Sequence, residues 1–286
     1  MATYRLLSAL EGRMAVGING SRDLREELFQ GISEKLFTAH VVAAREGVVS
    51  GSDDVSEEAH RLGLILGKVA GEGTWVREGE VLASFRATPK QVAAAEEVLL
   101  GILAKTSGIA TAARAFVDLA GERPRVVCGA WKKMPPQLKN AVRRAVVTGG
   151  AHYRITPEPF VYLDKNYVRM LGGIREALEA ASKLKGLTKV IQVKGETGEV
   201  ALEACEAAGC GAGIIFIDTG NREDIRLASE ALRAAGLRDR VRIAFAGNVR
   251  LEDVAELKSM DVDILDVGRA IVDAPLLDMR LDVVGP

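Results

Sequence analysis

The hydrophobic pattern changes period several times along the chain. Residues 1–35 read as helix and loop, with Ser21 as a cap candidate because acidic residues follow it closely. Residues 38–50 predict two strands around a turn at Glu46-Gly47. His40 falls inside that strand pattern and reads as structural. Ala59, Leu62, Leu66 and Val69 recur at helical spacing and predict a helix over 56–70, with Ser56 as its cap and Glu57 and Glu58 in its first turn. Residues 73–85 predict short strands joined by two Gly turns. They resemble a carrier half-barrel but lack the hairpin lysine that a biotinyl or lipoyl carrier needs. Val92, Leu99, Ile102 and Leu103 then give an apolar stripe to a helix over 89–120, with a break expected at Ser107-Gly108.

From Arg125 the rhythm becomes strand then helix. Strands are predicted over 125–129, 160–163, 189–193, 213–218, 242–246 and 263–267. Helices are predicted near 136–147, 166–184, 197–208, 222–236 and 250–258. The strands are short, apolar and rich in β-branched residues, as parallel strands buried on both faces are. Such alternation gives a doubly wound sheet or a (β/α) barrel. No G-x-G-x-x-G follows the first strand, which favours an open barrel of roughly seven strands over a dinucleotide-binding sheet. The boundary between the two halves falls near Ala110, giving domains over 1–110 and 111–286.

Composition narrows the function classes. The chain has 286 residues, 48% of them hydrophobic, enough for sizeable cores. A formal net charge of −1 supplies no global field for nucleic acid or a membrane surface. No apolar run reaches bilayer length, and the first residues lack a signal-peptide apolar stretch, so a cytoplasmic location is expected. Cys128, Cys205 and Cys210 are odd in number and lack metal-ligand spacing; they read as buried free thiols in a reducing compartment.

Chemistry in a parallel barrel sits where the strands end. Reading those ends in order collects Lys132, Asp164, Lys165, Lys194, Asp218, Asn248 and Arg269 at one mouth. Each alone reads equally as a helix cap or a surface charge, Asp218 above all. Lys132 and Arg154 sit at turn edges, where basic residues suit an anionic, phosphorylated ligand. Ala246-Gly247-Asn248 and Val267-Gly268-Arg269 close the last two strands. Small residues there expose backbone N–H groups, a phosphate cradle, although close helix packing explains Gly turns as well.

The order of these motifs resembles the quinolinate phosphoribosyltransferase family, also called nicotinate-nucleotide pyrophosphorylase (carboxylating), almost from end to end. Ser107-Gly-Ile-Ala-Thr111 matches the family's linker motif and is its most specific signal. Lys132 to Pro135 resembles the Arg-Lys-Thr-x-Pro turn, and Ala145-Val-Val-Thr-Gly-Gly resembles a Gly-Gly helix end. Ile217-Asp218 resembles Leu-Asp-Asn, and Arg154 matches the Arg of Asn-His-Arg. The resemblance implies an N-terminal α/β sandwich packed on the barrel, the last residues returning to that sandwich. It also implies a homodimer, and a reaction in NAD biosynthesis that joins a pyridine nitrogen to phosphoribosyl pyrophosphate with Mg²⁺ and releases pyrophosphate. Lys132, Asp218 and Lys194 become the catalytic candidates, with Asp218 meeting the metal through Mg-diphosphate. Trp131, Arg154, Asp164, Lys165 and Glu97 become substrate-binding candidates, and Ala246, Gly247, Asn248, Val267, Gly268 and Arg269 phosphate-binding ones.

Several positions depart from the family pattern. Glu97 stands where the family has an Arg, as does Trp131. Asp164 aligns with the Lys of Ile-Lys-Asp-Asn-His, with Lys165 one place on and Tyr167 replacing the His. Lys194 replaces a Glu. Quinolinate carries two carboxylates and needs cations around it, so an acceptor other than quinolinate stands beside quinolinate itself as a reading. The alternative is a repurposed phosphate-ligand-binding member without catalysis, including the molybdenum-transport-associated branch, which 162–171 is similar to.

Overall fold

The structure, a computed structural model, describes residues 23–196 and 198–286; the Ser21 cap lies outside them. The chain divides into two compact units. One takes in residues up to Thr111 together with Pro135–Thr148 and Pro275–Pro286; the other comprises Ala112–Met134 and Gly149–Ala274.

The first unit is built on β1 (Phe37–Ala43), β2 (Gly47–Val48), β3 (Ile65–Val69), β4 (Trp75–Val76), β5 (Val81–Ala87) and β12 (Met279–Gly285). Its main sheet runs β12-β1-β5-β3, with all pairs antiparallel. The predicted pairing around Glu46-Gly47 does not form. Both edges of β1 are taken, one by β12 and one by β5, so β2 pairs with β4 instead. The core gathers Val41, Leu82 and Phe85 from strands with Val55, Ala59, Val92, Ala95, Leu99 and Leu103 from helices.

The helix predicted over 56–70 is Ser52–Arg61. Gly63 adopts φ +70°, the left-handed conformation that ends helices. Leu66 and Val69 then lie on β3 against Phe85 and Ala83. Ser56 is one turn inside the helix and donates to Ser52 O at 2.9 Å. A remote carboxylate does the capping: Glu72 accepts from Gly51 N at 2.8 Å and Ser52 N at 3.0 Å.

The helix Pro89–Ala120 is continuous, without the expected break. Gly108 serves close packing, because a Cβ there would lie 2.1 Å from Pro275 O. The residues beside it form a clasp on the 48–50 backbone. Thr106 Oγ1 donates to Ser50 O at 2.6 Å, Ser107 Oγ accepts from Ser50 N at 2.9 Å, and Thr111 Oγ1 accepts from Val48 N at 2.9 Å.

The second unit carries six parallel strands: β6 (Arg125–Val127), β7 (Phe160–Leu163), β8 (Thr188–Val193), β9 (Ile214–Ile217), β10 (Arg242–Ala246) and β11 (Ile264–Asp266). Their order is β6-β11-β10-β9-β8-β7. Outside these six strands an isolated parallel bridge joins Val127 to His152. The fold is the α/β class with an open barrel. Inward residues Val127, Val190, Ile214, Phe216, Ala244 and Ile264 pack its interior. The helix predicted over 166–184 is two helices, Lys165–Leu171 and Ile174–Ser182, parted by Gly172 and Gly173 at φ +102° and +154°.

Candidate active site

The carboxyl ends of these parallel strands open into one cleft of about 760 Å³. Nine residues singled out from the sequence line it: Lys132, Asp164, Lys165, Asp218, Ala246, Gly247, Asn248, Gly268 and Arg269. Lys133, Arg250, Asp266 and Asp273 add charge to its wall.

Two loops form one side. Gly247 has φ +125°, and a Cβ on it would lie 2.3 Å from Gly220 Cα, so only glycine fits. Asn248 holds φ +52°, the only positive value on a non-glycine among the described residues. Its Oδ1 accepts from Arg269 Nη2 at 3.0 Å, which ties the β10 loop to the β11 loop. The backbone N–H groups of Gly247, Asn248, Gly268 and Arg269 reach no acceptor among the described residues. Donors left open at a rim bearing cations suit an anion. Val267 is fully buried and its N–H donates to Val127 O at 2.8 Å, so it contributes nothing to that cradle.

The same cleft also carries carboxylates. Asp218, at the end of β9, does not cap the next helix. Its Oδ2 accepts from Gln192 Nε2 at 2.5 Å and lies 3.4 Å from Lys194 Nζ. Lys194 Nζ also donates to Asp218 O at 2.6 Å. Lys194 thus faces Asp218 while lining a smaller neighbouring pocket of about 190 Å³. Asp164 caps the helix Lys165–Leu171, accepting from Asn166 N at 2.8 Å and Tyr167 N at 3.1 Å. Of that adjacent pair, it is Lys165 that lines both cavities.

Three wall residues not singled out as site candidates from the sequence shape the cleft further. Asp266 accepts from Gly129 N at 2.7 Å. Burial pushes its carboxyl above the usual range and Asp218 adds to that, while Gly129 N–H and Lys132 pull the other way. Tyr162 stacks edge-on against Phe216, with ring centroids 5.7 Å apart, and lies 5.7 Å from Lys132 Nζ. Burial first, then Asp266, Asp218 and Asp164, raise its phenol and keep it protonated. Gln192 is buried beneath Asp218. All three sit inside apolar strand runs; only the alternation of inward positions would have exposed them.

The remaining candidates lie elsewhere. Trp131 Nε1 donates to Tyr153 O at 2.8 Å, and the two rings meet edge-on at 6.3 Å. The Arg154 guanidinium lies 5.2 Å from the Phe160 ring centre. Glu97 belongs to the first unit, 3.5 Å from Arg25 Nη1. Among the described residues no cluster of three or more His, Cys, Asp or Glu is arranged to hold a metal, and no helix is long and apolar enough to cross a membrane.

The fold is an open (β/α) barrel with a charged cleft at its strand ends. The model of the quinolinate phosphoribosyl transferase N-terminal domain matches residues 23–107, and that of the C-terminal domain matches 109–282. A probable nicotinate-nucleotide pyrophosphorylase (carboxylating) from Archaeoglobus fulgidus is 33% identical over 255 residues, covering 88% of this chain and 96% of that one. The human nicotinate-nucleotide pyrophosphorylase (carboxylating) is 27% identical over 188 residues, 65% of this chain and 62% of that one. The solved nicotinate-nucleotide pyrophosphorylase from Francisella tularensis shares the fold at a TM-score of 0.79 and 21% identity, covering 99% of this chain and 98% of that one. The chain belongs to the quinolinate phosphoribosyltransferase family, and is an enzyme of the nicotinate-nucleotide pyrophosphorylase type.

Proposed function

We propose that this enzyme transfers the phosphoribosyl group of phosphoribosyl pyrophosphate to a ring nitrogen of an aromatic acceptor carrying fewer carboxylates than quinolinate. The observation that carries the reading is the cleft, which brings open N–H donors, Lys132 and Arg269 together with Asp218. In the reaction the ring nitrogen forms a bond to the sugar's anomeric carbon as the bond to pyrophosphate breaks, and pyrophosphate leaves with the electron pair. The carbon gains positive charge and the leaving group negative charge. Asp218 suits the first, and the Lys132 ammonium with the loop N–H groups suits the second. Open loops at the rim keep a phosphosugar ligand in play.

Magnesium fits this cleft. It keeps several waters and takes one or two carboxylates besides phosphate oxygens, so it needs no cage of protein ligands. Asp218 and Asp266 would hold it, and it would supply charge neutralisation at the leaving diphosphate.

The acceptor reading rests on Trp131 and Asp164. Where the family resemblance calls for two cations, this chain presents an indole committed to Tyr153 and a carboxylate committed to a helix cap. Neither supplies a positive charge for a second carboxylate of the acceptor. The test is pyrophosphate release with Mg²⁺, phosphoribosyl pyrophosphate and a panel of pyridine mono- and dicarboxylates. Faster release with a monocarboxylate is expected. Preference for quinolinate, with matching CO₂ release, would refute the acceptor reading and leave the transferase reading standing. No release with any acceptor would refute the transferase reading.

A further inference from the structure

Asp218 is held in place by more than its strand. Gln192 sits on β8, buried, with both ends of its amide engaged. Its Nε2 donates to Asp218 Oδ2 at 2.5 Å, and its Oε1 accepts from Lys165 N at 2.8 Å. A carboxylate and an N–H fix which end of the amide is which, since the carboxylate only accepts and the N–H only donates. Lys194 Nζ lies 3.4 Å from the same Oδ2. Two donors therefore converge on one carboxylate oxygen, while Oδ1 has no partner among the described residues. A hydrogen bond to an ionised group is the strong, orienting kind.

We infer that Gln192 is the positioning residue of this site: it turns the Asp218 carboxylate so that Oδ1 alone faces the cleft, and it locks the start of the helix carrying Lys165 to the same strand. The oxygen left open takes a sugar hydroxyl or the metal of a Mg-diphosphate sugar. This rests on the transferase reading above. One amide thereby couples an acidic and a basic wall residue, so loss of Gln192 loosens both while leaving the Gly247 and Gly268 loops untouched.

The test uses Gln192→Met, which keeps the side chain's length and removes both hydrogen bonds, alone and combined with Asp218→Asn. Affinity for Mg²⁺-phosphoribosyl pyrophosphate is read by calorimetry, and global stability by urea unfolding. Gln192→Met is expected to weaken binding about tenfold. In the Asp218→Asn background it is expected to weaken binding less than about twofold further, because it acts through Asp218. Equal losses in both backgrounds, or a fall in stability with binding unchanged, would overturn the inference. A ligand-free readout separates it from the functional reading. The Gln192 side-chain amide proton should resonate downfield in the unliganded protein and move upfield in Asp218→Asn. No such movement refutes the positioning. If the movement is seen but the wild type binds no Mg²⁺-phosphoribosyl pyrophosphate, the ligand assigned here is refuted and the positioning stands.

Discussion

At the scale of single residues, the site depends on two kinds of constraint. The first is backbone. Gly247 and Gly220 approach so closely that a methyl group at 247 must displace backbone. Gly247→Ala is expected to cost about 2 kcal/mol of stability and to weaken ligand binding together with it; thermal unfolding and calorimetry check both. The second is charge. Asp218→Asn removes the acceptor facing the cleft and should lower kcat/KM roughly a hundredfold or more, mostly through kcat, since its role grows in the transition state. Steady-state kinetics in which only KM rises would contradict that role. The sequence made Lys132, Asp218, Asn248 and Arg269 legible because they end strands, where polar residues break an apolar run. It hid Gln192 and Tyr162, because a polar residue within a short buried strand looks like noise in a hydrophobic pattern. Asp164 takes the cap position of the helix that Lys165 opens, where a short acceptor side chain belongs.

At the scale of elements, two carboxylate hubs tie segments that the chain keeps far apart. Glu72 accepts from Ser50 Oγ and Thr148 Oγ1, both at 2.7 Å, as well as from the N–H groups at 51 and 52. Burial opposes its ionisation, but these donors outweigh it and hold the carboxyl below its ordinary range. A carboxylate lowered in this way adds stability above its unfolded pKa and loses it as pH falls through the folded value. The stability gap between wild type and Glu72→Gln should therefore be widest near neutrality and close in acid, as urea unfolding at several pH values would show. Asp261 is the second hub. Burial raises its carboxyl, but Arg238 and Ser229 outweigh this and bring it down to about 2. Arg238 reaches both Asp261 Oδ1 at 2.7 Å and Asp263 Oδ2 at 2.9 Å, and Arg233 joins at 2.6 Å. Asp261→Ala should cost about 2 kcal/mol after allowance for partial exposure, and that difference should vanish as pH falls below the ordinary carboxylate range toward 2. Neither hub was legible in sequence, because a surface carboxylate and a network carboxylate have the same local pattern.

At the scale of the whole molecule, the alternation after Arg125 was the most readable feature. All six parallel strands fall where apolar β-branched runs place them. The first unit was less readable. Its sheet joins β1 to β12, which come from opposite ends of the chain, and no local pattern encodes such a pairing. The continuity of the helix through Gly108 was likewise hidden, because the reason for that glycine is Pro275, far along the sequence. The Ser107-Gly-Ile-Ala-Thr111 motif carried family information all the same, since each of its polar side chains answers a backbone group at 48–50. The central claim is that the cleft at the strand ends is a diphosphosugar site. Calorimetric titration of the intact protein with phosphoribosyl pyrophosphate in the presence of Mg²⁺ tests it most directly, with Lys132→Met as the control. The account predicts one site per chain in the wild type and binding at least about tenfold weaker in Lys132→Met. Absence of binding in the wild type, or equal binding by both proteins, would contradict it.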